Sequence, residues 1–267
     1  MNIIVAIKQV PETSNVKMDP VTGTMIREGV ESIINPLDLY AIEAANQLKE
    51  AHGGKVTVVT MGPMNAEKAL KEAIAMGCDD AVLISDRAFA GADTWSTSYV
   101  LAKAIQDIGA FDLILCGERA TDGDTGQVGP NIAAALDVPM ATYVSEIESA
   151  DPAAGELLVW RMTEYGYEKL QLPLPALLTV VKEISFPRLP TLRGKQRARS
   201  ADIKVLSSAN MEVEKDKIGL KGSPTRVIKI ETPKVTRGGT IVKPADDNAL
   251  EEAVDKLIDF LKVKEII

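Results

Sequence analysis

The chain has 267 residues, of which 46% are hydrophobic and 25% are charged, and a formal net charge of −8 at pH 7. This length allows a sizeable buried core in one large domain or two small ones. The acidic balance argues against a nucleic-acid-binding protein, whose contact face would be basic. No run approaches the ~20 apolar residues that a membrane-spanning helix needs, so we expect no membrane span.

Short apolar runs alternate with helical patterns over residues 1–145, and the runs have the β-branched character of parallel strands covered on both faces. The predicted strands cover residues 2–8, 55–61, 80–85 and 111–117. The predicted helices begin at Asn35, Asn65 and Asp93 and stop at Gly53, Gly77 and Gly109. This alternation predicts a doubly wound α/β fold, an open parallel sheet with helices on both faces.

The connection between the first strand and the first helix is longer than an ordinary βα loop. Its centre predicts a β-hairpin with the turn from Asp19 to Gly23. Because this excursion follows the carboxyl end of the first strand, it is a candidate lid or partner contact, and a decorative hairpin is the equal alternative.

The two cysteines and the single histidine limit the kinds of metal site and catalytic site that the chain can form. Cys78 and Cys116 do not form a metal-spaced pair, and each lies in or beside an apolar segment. They are predicted to be reduced core thiols, which is typical of a cytosolic protein and predicts a cytoplasmic location. The single histidine, His52, is predicted at a helix end. We therefore predict no metal site and no catalytic side chain, and any redox chemistry requires a bound cofactor.

The stretch "ATDGDTGQVGP", residues 120–130, follows the fourth predicted strand and allows two kinds of site. A calcium loop is disfavoured because Gln127 and Ala133 stand where glycine and a bidentate glutamate are needed. A phosphate-binding turn is favoured because residues 125–129 lead into a helix with Pro130 in its first turn, where free backbone N–H groups attract anions. Neither standard nucleotide fingerprint fits, so a plain tight turn is the alternative.

Topology strengthens the phosphate interpretation. If the first and fourth predicted strands are neighbours, this loop flanks the crevice outside their carboxyl ends, where open α/β sheets bind ligands. Asp122 and Asp124 are then expected to shape the loop or to bond sugar hydroxyls or adenine, away from the phosphates.

Beyond residue 145 the pattern changes to strands without long helices. Residues 156–182 predict an antiparallel meander that extends the sheet. A basic loop follows, with Arg188, Arg193, Lys195, Arg197 and Arg199 and no acid. The chain ends in a helix with an apolar stripe, which packs on its own domain or on a partner and consists of Leu250, Val254, Leu257, Ile258 and Leu261. We predict a nucleotide-binding α/β domain over residues 1–206 and a protruding C-terminal arm over residues 207–267.

Several separated stretches, in order and over essentially the whole chain, resemble the β subunit of electron transfer flavoproteins. They are "VAIKQVPE", "INPLDLYAIEAA", "VTMGP", "AIAMGCDDA", "ATDGDTGQVGP" and "FPRLPTLRGKQRA". Tyr165 departs from the family signature, in which a glycine or an acid is expected. The resemblance implies a heterodimer with an α subunit that carries the main redox FAD, while the β subunit binds AMP in ordinary members and a second FAD in electron-bifurcating members.

The resemblance also implies the residues of the adenosine site. At matching positions they are Ala6, Asn35, Pro36, Leu37, Asp38, Met61, Asp122, Gly123, Asp124, Thr125, Gly126, Gln127, Val128, Gly129, Pro130, Asn131 and Ala133. The loop is more similar to the bifurcating type than to the "DDDCNQTG" type, which favours FAD over AMP. In the bifurcating type the electrons of NADH pass to a low-potential acceptor such as ferredoxin and to a flavin dehydrogenase, here of the acyl-CoA or 2-hydroxy-acid class.

The basic segment resembles the family's recognition loop for the dehydrogenase, with Leu192 as anchor beside Arg188, Arg193 and Lys195, and a solvated charged loop is the alternative. The C-terminal helix resembles the arm that grips the α subunit. Two other functions remain on the same fold class. An ATP pyrophosphatase would carry a Ser-Gly-Gly-x-Asp-Ser-like loop in place of "KQVPETS", and a stress-type nucleotide sensor would carry a glycine in place of Leu136.

Overall fold

A computed structural model describes residues 1–12, 31–228, 239 and 241–267. The chain forms two compact units, Met1–Ile228 and Lys229–Ile267. The first unit extends beyond the boundary predicted at residue 206, and Met211 and Ile218 beyond that boundary are buried in one of its apolar clusters. The hairpin predicted at Asp19 to Gly23 lies outside the described residues.

Most strands belong to one mixed sheet. In chain order the strands are β1 Asn2–Ala6, β2 Gln9–Pro11, β3 Ser32–Ile34, β4 Lys55–Met61, β5 Asp80–Ile84, β6 Leu113–Gly117, β7 Met140–Asp151, β8 Glu156–Thr163, β9 Gly166–Pro173, β10 Ala176–Val180 and β11 Lys204–Leu206. The large sheet has the order β11-β5-β4-β1-β6-β10-β7-β8-β9, and β2 pairs with β3. All pairs of neighbouring strands from β11 to β7 are parallel, whereas the pairs β7–β8 and β8–β9 are antiparallel.

This topology confirms the predicted α/β class and corrects one part of the strand prediction. The meander predicted over residues 156–182 is wrong for its last strand, since β10 lies between β6 and β7 and is parallel to both. Every residue of β10 is buried, as expected for a strand in the interior of a sheet that is covered on both faces. The antiparallel extension consists of β7, β8 and β9.

Helices cover both faces of the parallel strands. They are α1 Pro36–His52, α2 Glu67–Met76, α3 Thr94–Ile108, α4 Val128–Leu136, α5 Leu192–Ser200, α6 Gly219–Gly222 and α7 Asp247–Val263, with 3-10 turns at Met64–Ala66, Arg87–Phe89 and Lys182–Ile184. Because side chains alternate along a strand, Ile3 and Val5 of β1 pack in the cluster that holds α1 and α2, whereas Ile4 packs in the cluster that holds α3 and α4. The predicted helix start at Asp93 is confirmed, since its carboxylate caps α3.

The basic segment is partly helical, which the sequence interpretation missed. Thr191 caps α5 by accepting a hydrogen bond from the N–H of Gly194. A Cβ on Gly194 would lie 2.1 Å from the carbonyl oxygen of Ala75, so this glycine lets α5 approach the end of α2. The loop predicted from Arg188 to Arg199 is therefore a short connection followed by a helix.

The second unit contains the predicted C-terminal helix, α7, capped by the Asp246 carboxylate. Leu250, Val254 and Leu257 of its apolar stripe are exposed within the described chain. None of the helices in the described ranges is both long enough and apolar enough to cross a membrane.

Candidate functional site

A crevice is expected where the sheet reverses its direction of growth. β1 pairs with β4 on one side and with β6 on the other, so the chain adds β4 and β5 on one side of β1 and then crosses to add β6 on the other side. The first and fourth predicted strands, β1 and β6, are neighbours, so the condition set in the sequence analysis is met. Open α/β sheets bind ligands outside the carboxyl ends of the strands at such a point.

Asp38, in the first turn of α1, ties the carboxyl ends of these two strands together. Its carboxylate accepts hydrogen bonds from the backbone N–H of Lys8 at 2.7 Å and from that of Gly117 at 3.2 Å. Burial raises the pKa of Asp38 to about 7, although both N–H groups favour the carboxylate. A Cβ on Gly117 would lie 2.5 Å from Asp38 Oδ1, so this close approach requires glycine.

Asn35, just before α1, holds the chain that leads into residues 120–130, here named the glycine loop. Its fully buried side chain makes no capping bond to α1. Instead Nδ2 donates to the carbonyl of Arg119 at 2.9 Å, and Oδ1 accepts from the N–H of Thr121 at 3.1 Å. The predicted neighbours in this corner are Pro36, which is exposed, and Leu37, which is half-buried.

Both acids of the glycine loop pair with cations. Lys8 Nζ lies 2.6 Å from Asp122 Oδ1, and Arg119 Nε lies 3.0 Å from Asp124 Oδ1. These pairs offset the negative charge that would otherwise repel a phosphate. No cluster of three or more His, Cys, Asp or Glu side chains suited to a metal ion occurs among the residues that the structure describes. The geometry favours the backbone of the loop as its ligand-binding part.

The three glycines of the loop differ in whether the structure requires a glycine at their position. Gly126 has φ +62°, a left-handed conformation that favours glycine. A Cβ on Gly129 would lie 2.5 Å from Thr179 Cγ2 and 2.9 Å from Cys116 Sγ, so Gly129 lets α4 pack directly on the sheet. A Cβ on Gly123 would meet nothing within 4 Å, so packing within the chain does not require glycine there.

The loop ends at the start of α4. Gln127 occupies the position before the helix, but its side chain makes no capping bond and accepts the hydroxyl hydrogen of Thr94 at 2.8 Å. Because the first N–H groups of a helix lack intrahelical partners, Val128 and Gly129 offer backbone donors at the positive end of the helix dipole. Pro130 lies in the first turn, as predicted. The other predicted positions here are exposed Thr125, half-buried Asn131 and buried Ala133.

An apolar patch lies on the same face of the sheet as α4. Ala6 at the end of β1 is 8% exposed, and Met61 at the end of β4 is half-buried. Both pack in the same apolar cluster as Val128 of α4. The predicted cofactor-binding positions thus lie at the carboxyl ends of the parallel strands or in the segments that follow them.

Three polar residues of this edge were not predicted. Lys8 and Arg119 supply the cations of the two ion pairs, and Thr94 positions the Gln127 side chain. Lys8 lies within the quoted stretch "VAIKQVPE", and Arg119 directly precedes the glycine loop, so their sequence positions were the available signal. Thr94 carried no such signal, because its contact depends on how α3 packs beside α4.

The residues predicted to dock a dehydrogenase lie outside this edge, in the segment after β10. Leu192 is 87% exposed, and Arg193 and Lys195 are exposed on α5. Arg188 instead contacts α1, where its Nε and Nη2 lie 2.7 and 2.9 Å from the oxygens of Glu43. Burial opposes ionisation of Glu43, but the hydrogen bonds from Arg188 outweigh it and lower the pKa of this carboxyl.

The remaining candidate reactive groups lie away from the crevice or are blocked. Cys78 and Cys116 are buried free thiols, as predicted, and burial raises the pKa of Cys78 to about 12. His52 is exposed at the last position of α1, as predicted. The crevice therefore offers backbone N–H donors, an apolar patch and neutralised carboxylates, which suits binding of a phosphorylated ligand.

The chain matches the electron transfer flavoprotein domain over residues 22–211. It is 48% identical over 268 residues to the electron transfer flavoprotein subunit beta of Thermoanaerobacterium thermosaccharolyticum, with 100% of each chain covered. It is 45% identical over 268 residues to subunit CarD of the caffeyl-CoA reductase–Etf complex of Acetobacterium woodii, again with 100% of each chain covered. It is 43% identical over 267 residues to the acryloyl-CoA reductase electron transfer subunit gamma of Anaerotignum propionicum, covering 97% of this chain and 98% of that one. On this evidence the chain belongs to the electron transfer flavoprotein family and to its β-subunit branch.

Proposed function

We propose that this chain is the electron-carrying subunit of a cytoplasmic heterodimer and binds FAD in the crevice beside the glycine loop. The α subunit of the heterodimer carries the main redox FAD, and the C-terminal segment with α7 grips that subunit. A flavin exchanges one or two electrons, which is chemistry that the protein side chains do not supply. The exposed apolar stripe of α7 supports the proposed contact with the α subunit. The buried free thiols support the proposed cytoplasmic location.

The start of α4 at the switch point of the sheet carries the proposed nucleotide site. Backbone donors at residues 125–129 are suited to a pyrophosphate, since they combine free N–H groups with the positive helix end. Gly126 gives the loop its left-handed turn, and Gly129 brings the helix close to β6. Lys8 and Arg119 reduce the repulsion between the loop's acids and the phosphates.

The apolar patch of Ala6 and Met61 offers a surface for the adenine ring on the same face of the sheet. Asn35 and Asp38 contribute indirectly, because their side chains are used to hold the loop and the strand ends. We propose that they set the shape of the adenosine site and do not themselves carry the affinity.

FAD is proposed over AMP because the loop "DGDTGQVGP" is more similar to the bifurcating type of the family. The proposed electron donor is NADH, and the proposed acceptors are ferredoxin and a flavin dehydrogenase. The names of two relatives, from a caffeyl-CoA reductase–Etf complex and an acryloyl-CoA reductase, support the acyl-CoA class over the 2-hydroxy-acid class.

The heterodimer with its α subunit provides the test. We expect extraction of bound cofactors to yield two FAD per heterodimer, and we expect NADH to reduce ferredoxin only when the dehydrogenase and its oxidised substrate are present. One FAD and one AMP per heterodimer would overturn FAD binding and bifurcation here while sparing electron transfer. Full flavin loading of the α subunit with no nucleotide in this chain would overturn the crevice site.

Gly126 allows a sharper test of the loop. Gly126→Asp places a negative charge beside the proposed pyrophosphate, which costs about 1–4 kcal/mol at 4 Å depending on solvent exposure, so we expect nucleotide affinity to fall roughly fivefold or more. Gly126→Asn is the matched control, because both side chains tolerate a positive φ and only one is charged. Equal nucleotide retention in the two variants would contradict a phosphate at this turn.

The exposed face around Leu192 is proposed to dock the dehydrogenase, with Arg193 and Lys195 beside it and Arg188 holding the segment in place. Leu192→Ala should raise the KM for the dehydrogenase about thirtyfold, since an anchor side chain contributes roughly 2 kcal/mol, without changing cofactor content. Tyr165→Ala, at an exposed tyrosine in the turn between β8 and β9, is the control. An unchanged KM for the Leu192 variant would contradict this docking face.

A further inference from the structure

The start of α3 contacts two parts of the chain that have different proposed roles. The Asp93 carboxylate accepts hydrogen bonds from the backbone N–H of Thr225 at 2.9 Å and from its hydroxyl at 2.7 Å. The next residue, Thr94, donates its hydroxyl hydrogen to Gln127 at 2.8 Å. Gln127 lies within residues 125–129, which are proposed to hold a pyrophosphate, whereas Thr225 lies just before the end of the first compact unit at Ile228.

The segment 217–225, here named the exit strap, is bound to the start of α3 at several points. The N–H of Asp93 donates to Ser223 Oγ at 2.8 Å, and the Ser96 hydroxyl donates to the carbonyl of Lys217 at 2.9 Å. A Cβ on Gly219 would lie 2.1 Å from the carbonyl oxygen of Ala88, so the strap lies directly on the chain before α3. These contacts fix the place where the chain leaves the first unit.

Both oxygens of the Asp93 carboxylate accept hydrogen bonds. Oδ1 also accepts the N–H of Ser96 at 3.0 Å, so each carboxylate oxygen is used. Burial opposes ionisation, but the donors from Ser96 and Thr225 outweigh it and lower the pKa of Asp93. Hydrogen bonds to an ionised acceptor are roughly twice as strong as those between neutral groups.

A second link joins the same turn of α3 to α4. The buried hydroxyl of Ser98 lies 2.6 Å from the carbonyl oxygen of Thr94 and 3.2 Å from that of Val128, the first residue of α4. The side-chain bond to Gln127 is thus backed by a contact at the helix start.

We propose that Asp93 and Thr94 are positioning residues that couple nucleotide retention at the glycine loop to attachment of the α subunit. The inference rests on the proposed function, which supplies both the nucleotide and the grip of the C-terminal segment. The hydrogen bonds from Thr225 to Asp93 hold the point where that segment leaves the first unit. Because both attachments order the same turn of α3, each reduces the conformational entropy that the other has to remove.

Thermodynamic linkage makes the coupling measurable from both sides, since a nucleotide that tightens the heterodimer must itself bind more tightly in it by the same factor. In wild type we expect FAD, or AMP if that is the bound nucleotide, to lower the αβ Kd at least about fivefold. This ratio of the αβ Kd without nucleotide to the Kd with nucleotide is here named the coupling factor. It should fall toward one in Asp93→Asn, which keeps a capping side chain but presents an amide hydrogen to the N–H of Thr225. Thr225→Val, which removes only the hydroxyl bond, should lower it part of the way.

Thr163→Val is the matched control, because the Thr163 hydroxyl donates to the carbonyl of Gly166 in the turn between β8 and β9. The coupling factor is a ratio of two affinities, so a general loss of stability would not change it selectively. An unchanged coupling factor in both Asp93→Asn and Thr225→Val would overturn the inference. A wild-type heterodimer whose crevice binds neither nucleotide would overturn the proposed function instead.

A double-mutant cycle decides the matter if Asp93→Asn fails to fold. Thr94→Val and Thr225→Val remove one hydroxyl each on the two sides of Asp93. If the two sides are coupled, their effects on the nucleotide release rate are non-additive. Additive effects would overturn the inference.

Discussion

Replacement of Arg188 by methionine tests the role that the structure gives to this residue. Arg188 binds Glu43 with two guanidinium nitrogens and also pairs with Glu50, and both acids lie on α1. The Glu43 side chain is only 5% exposed, whereas that of Glu50 is 56% exposed. Arg188→Met therefore leaves one carboxylate buried without its cation and releases the other into water.

The two acids contribute unequally to the expected loss. Removing one partner of a buried pair costs about 3–5 kcal/mol, and an exposed pair contributes about 0–1 kcal/mol. The N–H of residue 188 and the Gln47 amide still donate to Glu43 in the variant, which favours the lower end of the range. We expect the free energy of unfolding to fall by about 3 kcal/mol at pH 7.

Urea unfolding of wild type and Arg188→Met at several pH values measures this loss. The lowered pKa of Glu43 contributes stability above its ordinary value of 4.5, and this contribution is lost as pH falls through the lowered value. The difference between the two proteins should therefore shrink as the pH falls below 4.5. The double variant Glu43→Gln/Arg188→Met should regain most of the stability, since no buried charge remains. If Arg188→Met unfolds like Arg193→Met, a change at an exposed position of α5, the reasoning is refuted.

Two further predictions concern the crevice. Asp38→Asn should lower the free energy of unfolding by about 1–3 kcal/mol, because an amide cannot accept from both backbone N–H groups. Since the pKa of Asp38 is raised to about 7 in the folded state, the stability advantage of wild type should be largest below pH 4 and should decline as pH rises through 7. Urea unfolding across that range measures the advantage, and a constant difference would count against the raised pKa. Gly129→Ala should cost about 1–3 kcal/mol through the clash of its Cβ with Thr179, whereas Gly123→Ala should unfold at the wild-type temperature, and similar melting temperatures for the two variants would contradict the packing described for α4.

Local sequence patterns predicted much of the fold. The apolar run at residues 55–61 became β4, and Asp93 caps α3 where its N-cap pattern indicated. The signals for these elements lie within one stretch of chain, because strand and helix periods and capping contacts are local. The glycine loop was also predictable from the sequence, since Pro130 marks the first turn of the helix that follows it.

Strand order was less accessible. The run that became β10 has the apolar character of any covered strand, and its sequence does not state whether it continues a hairpin or enters the sheet between β6 and β7. Likewise, the five basic residues between positions 188 and 199 suggested a solvent-exposed loop. The packing of Gly194 and of buried Ala198 near α2 instead favours the helix α5.

By itself, the sequence determined the α/β class, the helices on both faces and the presence of a backbone turn before a helix, because periodicity and glycine placement act over a few residues. Only the tertiary structure decided which charges meet at that turn. Asp122 is neutralised by Lys8 and Arg188 binds Glu43 across separations of 114 and 145 residues. Such pairs form only after the order of the strands brings distant segments together, and no local pattern encodes that order.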